Sequence, residues 1–200
     1  MIGAVVLGAG CSQRMGRPKL TLPWGEITVI GQVVEVLSAA DIAEIVVVTG
    51  GARAEVEVAL GRHTAAIPVF NPNFSDGQMS RSLQVGLKTL SKSLEATLVV
   101  LGDQPQIELE VVRAVIAAFR QNEPILVVPS YQKRRGHPWL VKRSLWRELF
   151  ELEAPKTLRD FLNQYLADTR FVIVDTPSIL QDLDTPKDYQ RYRSAQGDSQ

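Results

Sequence analysis

Residues 5 to 19, Val5-Val-Leu-Gly-Ala-Gly-Cys-Ser-Gln-Arg-Met-Gly-Arg-Pro-Lys19, contain three glycines, three cations and no acid. Such a run at the end of an apolar segment outlines an anion cradle. Gly8 and Gly10 leave main-chain N–H groups open to a ligand, and Arg14 and Lys19 add the forked and point charge that a triphosphate needs. Downstream, Gly77 precedes the hydroxyls Ser80 and Ser82 at a helix start, which suits an anion or the edge of a nucleobase, with helix capping by Ser80 as the competing reading. Asp103 follows a strand and a glycine, so it projects from a sheet edge. Its competing reading is a cap on the next helix. Lys133-Arg-Arg-Gly-His-Pro138 is the most basic remaining loop, either solvated or a counter-charge for a second anion. Two familiar nucleotide fingerprints fail on spacing. Gly8-x-Gly10 continues with Cys11, Ser12 and Gln13, so the third glycine of a dinucleotide site is missing, and no Gly-Lys-Ser/Thr follows. A bare strand-to-helix turn that uses glycine for geometry is the remaining alternative.

The elements that must position these residues alternate between strand and helix. Apolar runs at Met1–Leu7, Glu44–Thr49, Ile67–Phe70, Ala96–Leu101, Ile125–Val128 and Phe171–Val174 predict strands. Helical spacing predicts helices from Thr28 to about Asp41, over Ala52–Leu60, Ser80–Leu90, Glu108–Gln121, Ser144–Leu152 and Thr157–Leu166, and around Asp188–Arg193. Thr185 is the expected N-cap of that last helix, with Pro186 at its first position. Pro23 and Gly25 argue against regular structure in Leu20–Gly25, and Lys133–Pro138 is expected to be a loop. The class is therefore α/β: a three-layer, Rossmann-like sandwich with a mainly parallel, mixed sheet, in which ligands bind beyond the carboxyl ends of the strands. The loops after Leu7 and Leu101 then share one edge.

Composition narrows the partners. Of 200 residues 45% are hydrophobic, enough for one domain, expected over residues 1–193 with a disordered tail over 194–200. Lys plus Arg and Asp plus Glu both total 22, so no global field exists to hold a nucleic acid or an anionic membrane, and anion recognition must be local. The apolar runs are too short to span a bilayer. A single cysteine, Cys11, leaves no internal disulfide, and its place among cations is read as incidental packing. With no cationic leader and apolar core at the start, a cytoplasmic location is expected.

Five stretches together resemble a known family. Leu7-Gly-Ala-Gly-Cys-Ser-Gln-Arg-Met-Gly-Arg-Pro-Lys19 is similar to the signature loop of the MobA-like nucleotidyltransferases that act on the molybdenum cofactor, and most of all to the molybdenum cofactor cytidylyltransferases. The similarity continues in Asn71-Pro-Asn-Phe-Ser-Asp-Gly77 with Ser80 and Ser82, in Leu101-Gly-Asp-Gln-Pro105, in Arg135-Gly-His-Pro138 and in Asp182-Leu-Asp-Thr-Pro-Lys-Asp188. The resemblance implies a sheet of the nucleotide-diphospho-sugar transferase type, Mg2+ dependence, and transfer of CMP from CTP to the terminal phosphate of molybdopterin with release of pyrophosphate. A client molybdoenzyme would be a further partner.

That chemistry fits the residues. Attack of one phosphate on the α-phosphorus of a nucleoside triphosphate requires neutralised oxygens, an aligned leaving group and a metal rather than a protein nucleophile. Leu7, Gly8, Ala9, Gly10 and Ser12 are then expected to cradle the nucleotide with Gly77, Ser80 and Ser82. Arg14 and Lys19 are expected to neutralise it during transfer, and Asp103 with Asp184 to hold Mg2+. Asp182 is the alternative second metal ligand, and one of Asp182 and Asp184 is expected to stabilise the following helix instead. Gln104, Arg135, Gly136, His137 and Pro138 are expected on the acceptor side. Two departures bear on this: Gly8 stands where relatives commonly carry Ala, and Glu153-Ala-Pro-Lys-Thr-Leu-Arg159 lacks the Gly-Asp-x-Gly element often found there, which bears on the acceptor. Rival readings are a GTP-using enzyme, one acting on a sugar or polyol phosphate, and a non-catalytic carrier of the cofactor. Hydride transfer ranks below these, because Glu44–Thr49 ends in Thr-Gly-Gly without a ribose-binding acid.

Overall fold

The first strand, β1 (Ile2–Gly8), is buried along almost its whole length, as an apolar run covered on both faces must be. It lies in the middle of the sheet in a computed structural model that describes residues 1–10, 12–61, 63 and 65–197. Cys11 lies outside the described residues. A hairpin of β2 (Pro23–Trp24) and β3 (Ile27–Thr28) follows, where Pro23 and Gly25 had argued against regular structure. Two-residue strands are too short for periodicity to register. Helix α1 (Val29–Ala39) starts at Thr28, whose side chain accepts from the Gly31 N–H, and leads to β4 (Glu44–Thr49). Then come α2 (Arg53–Leu60), β5 (Ala66–Phe70), α3 (Met79–Thr89), β6 (Ala96–Leu101), α4 (Leu109–Asn122) and β7 (Leu126–Tyr131). The chain continues through β8 (Arg134–Arg135), β9 (Trp139–Lys142), α5 (Trp146–Phe150), α6 (Leu158–Gln164), β10 (Thr169–Ile173) and α7 (Pro186–Gly197). The last helix runs past Arg193, after which the sequence had suggested a tail, and residues 198–200 lie outside the described residues.

The sheet order is β10-β7-β9-β6-β1-β4-β5, with β8 paired to β7. The pairs β1–β4, β1–β6, β4–β5 and β7–β10 are parallel, while β9 runs antiparallel between β6 and β7. The sheet is thus mixed and mainly parallel. Alternation along the strands divides the core in two. Ala4, Val6, Ile45, Val47, Leu98 and Val100 pack with α1, α2 and α4 on one face. Val5, Val46, Val48, Val99, Trp139 and Val141 pack with α3, α5 and α6 on the other. Burying each such side chain contributes roughly 1.5 to 3 kcal/mol, so the central strands are held from both faces.

Two features were not expected from the sequence. Strand β9 lies where no element was assigned, and β8 falls inside the expected basic loop. Both are short, and Trp139-Leu-Val141 offers three residues of strand character directly after a proline. The visible signal was that aromatic and β-branched triplet. Lys133–Pro138 is thus a turn and a strand, tied down by the Gly136 N–H to the Pro129 carbonyl at 3.0 Å. The His137–Pro138 bond is cis.

Candidate active site

Register alignment places Leu7 of β1 opposite Leu101 of β6, so the loops that follow them emerge side by side. The Gly102 N–H donates to the Leu7 carbonyl at 3.1 Å across that gap. At the same edge, a side chain on Gly50 would collide with the backbone of Ala9, so the glycine after β4 is what lets the first loop pass. The C-terminal segment is drawn to the same place. Thr185 and Asp188 form a capping box (Asp188 N–H to Thr185 Oγ1 3.2 Å, Thr185 N–H to Asp188 Oδ2 2.9 Å), and the Tyr189 hydroxyl donates to the Pro23 carbonyl on the hairpin. The Leu183 N–H then donates to the Asp103 carbonyl at 3.1 Å. Docking of α7 thereby carries Asp182 and Asp184 to the loop after β6.

The result is a cavity of about 650 Å³ on the carboxyl edge. Of the residues singled out from the sequence, Leu7, Gly8, Ala9, Gly10, Arg14, Lys19, Gly77, Ser82, Asp103, Gln104, Arg135, Gly136, His137 and Asp184 line it. Three do not. Ser12 stands behind the loop with its Oγ accepting the Lys19 N–H at 3.2 Å. Ser80 is buried in the first turn of α3, and the N-cap of that helix is Gln78, with no side-chain cap hydrogen bond, so the competing reading of Ser80 as a cap is not observed either. Pro138 is buried behind His137. Ser82 lines the cavity while its hydroxyl accepts from Asn71 Nδ2 at 3.1 Å.

The charged residues are paired with one another. Lys19 Nζ is hydrogen-bonded to Asp103 Oδ2 and lies 3.6 Å from Asp184 Oδ1, and Arg14 Nη2 is 3.0 Å from the same Asp184 oxygen. The side chains of Lys19 and Asp103 are 15% and 17% exposed, against 69% and 40% for Arg14 and Asp184, so the first pair feels far less solvent screening than the second. Asp182 accepts from Gln104 Nε2 at 2.7 Å. Burial pushes its carboxyl above the ordinary aspartate range, and the negative charge of Asp103 pushes the same way, against the Gln104 hydrogen bond. Helix capping falls to Asp188, whose hydrogen bonds from Thr185 hold its pKa down. The side chains of Asp182 and Asp184 instead take part in the cavity's bonds.

Among the described residues no group of three or more His, Cys, Asp or Glu is arranged to enclose a metal ion. Mg2+ in phosphoryl chemistry needs less than that: one or two carboxylates, with phosphate and water oxygens completing an octahedron. Asp103 and Asp184 are the two carboxylates that could hold such an ion, because both reach the position of the Lys19 ammonium. When bound there, a divalent ion supplies charge neutralisation at the phosphate oxygens.

The opposite wall is built differently. Arg135 Nη2 donates to Asn163 Oδ1 of α6 at 2.7 Å, the His137 N–H donates to the Ile179 carbonyl at 3.1 Å, and a side chain on Gly136 would collide with Ile179. Burial pushes the His137 imidazole down to about 4, so it is neutral near pH 7. Arg159 is exposed on α6 and is not among the residues lining the cavity. Sequence reasoning missed Phe74, Gln78, Met79, Ile179 and Leu180, which supply apolar and amide surface to the cavity. The last two lie in a 3-10 turn, Pro177–Leu180, whose one visible signal was Thr176-Pro177, with the Thr176 hydroxyl accepting from the Ser178 N–H at 3.2 Å.

The mixed, mainly parallel α/β fold is also that of the 4-diphosphocytidyl-2C-methyl-D-erythritol synthase of Anaerococcus prevotii, at 17% identity and TM-score 0.80 over 98% and 96% of the two chains. The chain belongs to the MobA-like NTP transferase domain family, whose sequence pattern matches residues 4–169, and it is therefore a member of a nucleotidyltransferase family. It is 24% identical over 188 residues to the molybdenum cofactor cytidylyltransferase of Escherichia coli strain K12, covering 94% of this chain and 93% of that protein. Among solved structures it resembles Rv0371c of Mycobacterium tuberculosis H37Rv, with 29% identity, TM-score 0.86, and 96% and 97% of the two chains covered. Rv0371c has also been solved in complex with manganese; that structure matches at 28% identity and TM-score 0.79, over 97% and 98% of the chains. A nucleotidyl transferase from Methanothermobacter matches at 25% identity and TM-score 0.84, over 100% and 99%. No helix among the described residues is long and apolar enough to cross a membrane.

Proposed function

We propose that the protein is an Mg2+-dependent cytidylyltransferase that moves CMP from CTP to the terminal phosphate of molybdopterin-type cofactor and releases pyrophosphate. The observation that carries this reading is the meeting of Lys19, Arg14, Asp103 and Asp184 in one cavity beside the Gly8-Ala9-Gly10 loop. The overall similarity to the E. coli cytidylyltransferase supports the choice of acceptor and base, and the manganese complex of Rv0371c supports a divalent ion.

In this reading the loop after β1 binds the triphosphate with its main chain. Arg14 and Lys19 neutralise the charge that builds on the leaving pyrophosphate. Asp103 and Asp184 hold the metal against the phosphate oxygens, and the wall of Gln104, Arg135, Gly136 and His137 orients the acceptor. His137, neutral, acts in shape and hydrogen bonding rather than as a proton carrier. The acceptor phosphate is already a nucleophile, so no side chain has to remove a proton from it.

The test is pyrophosphate release by purified protein with Mg2+, molybdenum cofactor and each of the four nucleoside triphosphates in turn. CTP is expected to be the best donor. Release with GTP instead would move the base assignment, and release only with a sugar or polyol phosphate in place of the cofactor would move the acceptor. A carrier would bind cofactor with no release from any nucleotide. Heat protection by CTP in Mg2+, compared with the other three nucleotides, gives the base preference without turnover.

A further inference from the structure

The cavity is lined by three carboxylates, Asp103, Asp182 and Asp184, and four cations, Arg14 and Lys19 on one wall and Arg134 and Arg135 on the other. Only Lys19, among the ion pairs of the described residues, reaches two of these carboxylates at once. We propose that Lys19 is an internal competitor of the divalent ion: its ammonium occupies the position that Asp103 and Asp184 offer to a metal, and it is handed over to the triphosphate when metal arrives. The inference rests on the reading of this cavity as a metal-dependent nucleotide site.

The parts differ in freedom. Asp103 sits at the end of a central strand, and its carbonyl accepts from the N–H of the fully buried Leu183, so the carboxylates on both segments are fixed to the same framework. Lys19 is anchored at its backbone by Ser12, but its charge rides on a four-carbon stem. The ammonium is the moving member. A metal binding alone must displace that ammonium, whose side chain is only 15% exposed, from both of its paired carboxylates. A triphosphate binding alone finds Lys19 already neutralised and faces three carboxylates. Each ligand removes the obstacle to the other, so their binding is positively coupled, and reciprocally so, within the roughly 5- to 150-fold range of such couplings.

The experiment is a titration of the full chain with Mn2+ alone, without nucleotide, reading free Mn2+ by electron paramagnetic resonance. Lys19→Met is expected to tighten Mn2+ binding about tenfold by removing the competitor. Lys19→Arg, which keeps the charge, is expected to leave the affinity near that of the unmodified protein, and Arg14→Met, at a more exposed pair, to tighten it less. As the reciprocal arm, Asp103→Asn is expected to bind CTP in EDTA several-fold tighter than the unmodified protein, because Lys19 is released. Equal or weaker Mn2+ binding by a folded Lys19→Met overturns the proposal, as does unchanged CTP binding in EDTA by Asp103→Asn, which decides the matter if Lys19→Met does not fold. Tightened Mn2+ binding in a protein that releases no pyrophosphate keeps the exchange and removes the transferase reading. Pyrophosphate release with unchanged Mn2+ affinity does the reverse.

Discussion

The two walls of the cavity are built from different materials. On the side of the loop after β1, the groups are charged and bound to one another: Lys19 to Asp103, Arg14 to Asp184. On the side of β8, Arg134 and Arg135 carry charge without an acidic partner among the ion pairs of the described residues, Arg135 donating to the neutral Asn163. The frame there is main-chain hydrogen bonds and close packing, Gly136 to Pro129 and Ile179, His137 to Ile179, with the imidazole neutral. Charge pairs exchange partners readily and tolerate small displacements, whereas a wall made of packing has one shape. Under the proposed function the first wall would work mainly through paired charge and the second mainly through its fixed shape, and substitutions should separate the two.

The largest effect is expected from the strand that supports the second wall. Trp139 on β9 is 1% exposed, and Trp139→Ala should cost about 3–5 kcal/mol in denaturant unfolding. A loss below about 1 kcal/mol would mean that β9 is not integral to the sheet. Next, Asp103→Ala should lower pyrophosphate release by roughly 10²- to 10³-fold, as loss of one key electrostatic contact does, while shifting the melting temperature by only a few degrees. Equal damage to folding and turnover would make the first wall structural. Gly136→Ala, on the wall of fit, should raise the KM for the acceptor about tenfold and leave that for the nucleotide unchanged, because overpacking against Ile179 costs about 1–3 kcal/mol. A matching rise for both substrates would erase the division of labour.

The smallest effect concerns His137. Its pKa in the folded protein, about 4, lies below the ordinary histidine value of 6.5. Between those values the unfolded chain binds the extra proton and the folded one does not, so this group makes stability rise with pH across that window. Stability is lost progressively as pH falls from 6.5 toward 4, and nothing further from this residue is lost below. Asp182, raised instead, gives the opposite slope, since the folded state holds its proton longer: its contribution falls as pH climbs from the ordinary aspartate value through the raised one. Comparing His137→Asn with the unmodified protein in unfolding experiments from pH 4 to 7 isolates the histidine term. An imidazole that titrates near 6.5 by nuclear magnetic resonance would show that the second wall is wet.

The first wall was legible from the chain because its determinants are local. Glycines and cations packed into residues 5–19, after a buried-strand pattern, carry their own chemistry, and long apolar runs such as Ala96–Leu101 announce central strands. The second wall was legible only in part. Gln104, Arg135, Gly136 and His137 were singled out by type and resemblance. Strands β8 and β9, however, have two and four residues, too few to show a period, and the basic run Lys133–Arg135 could be read either as a solvated loop or as a counter-charge. Ile179 and Leu180 sit in a turn whose apolar residues have no repeat.

By itself, then, the amino-acid sequence determined the α/β class, most helix and strand positions, and the meeting of Lys19, Arg14 and Asp103 at one edge, because strand periodicity and parallel order bring the loops after β1 and β6 together, while Asp184 was singled out only beside the family resemblance. Only the tertiary structure decided how those charges are shared. That Asp184 pairs with Arg14, that Asp182 is held by Gln104, and that Asp188 rather than either takes the helix cap all depend on α7 docking through Tyr189 onto the hairpin. Partner choice among charges is a matter of a few ångströms between segments more than 80 residues apart, and no local pattern encodes that distance.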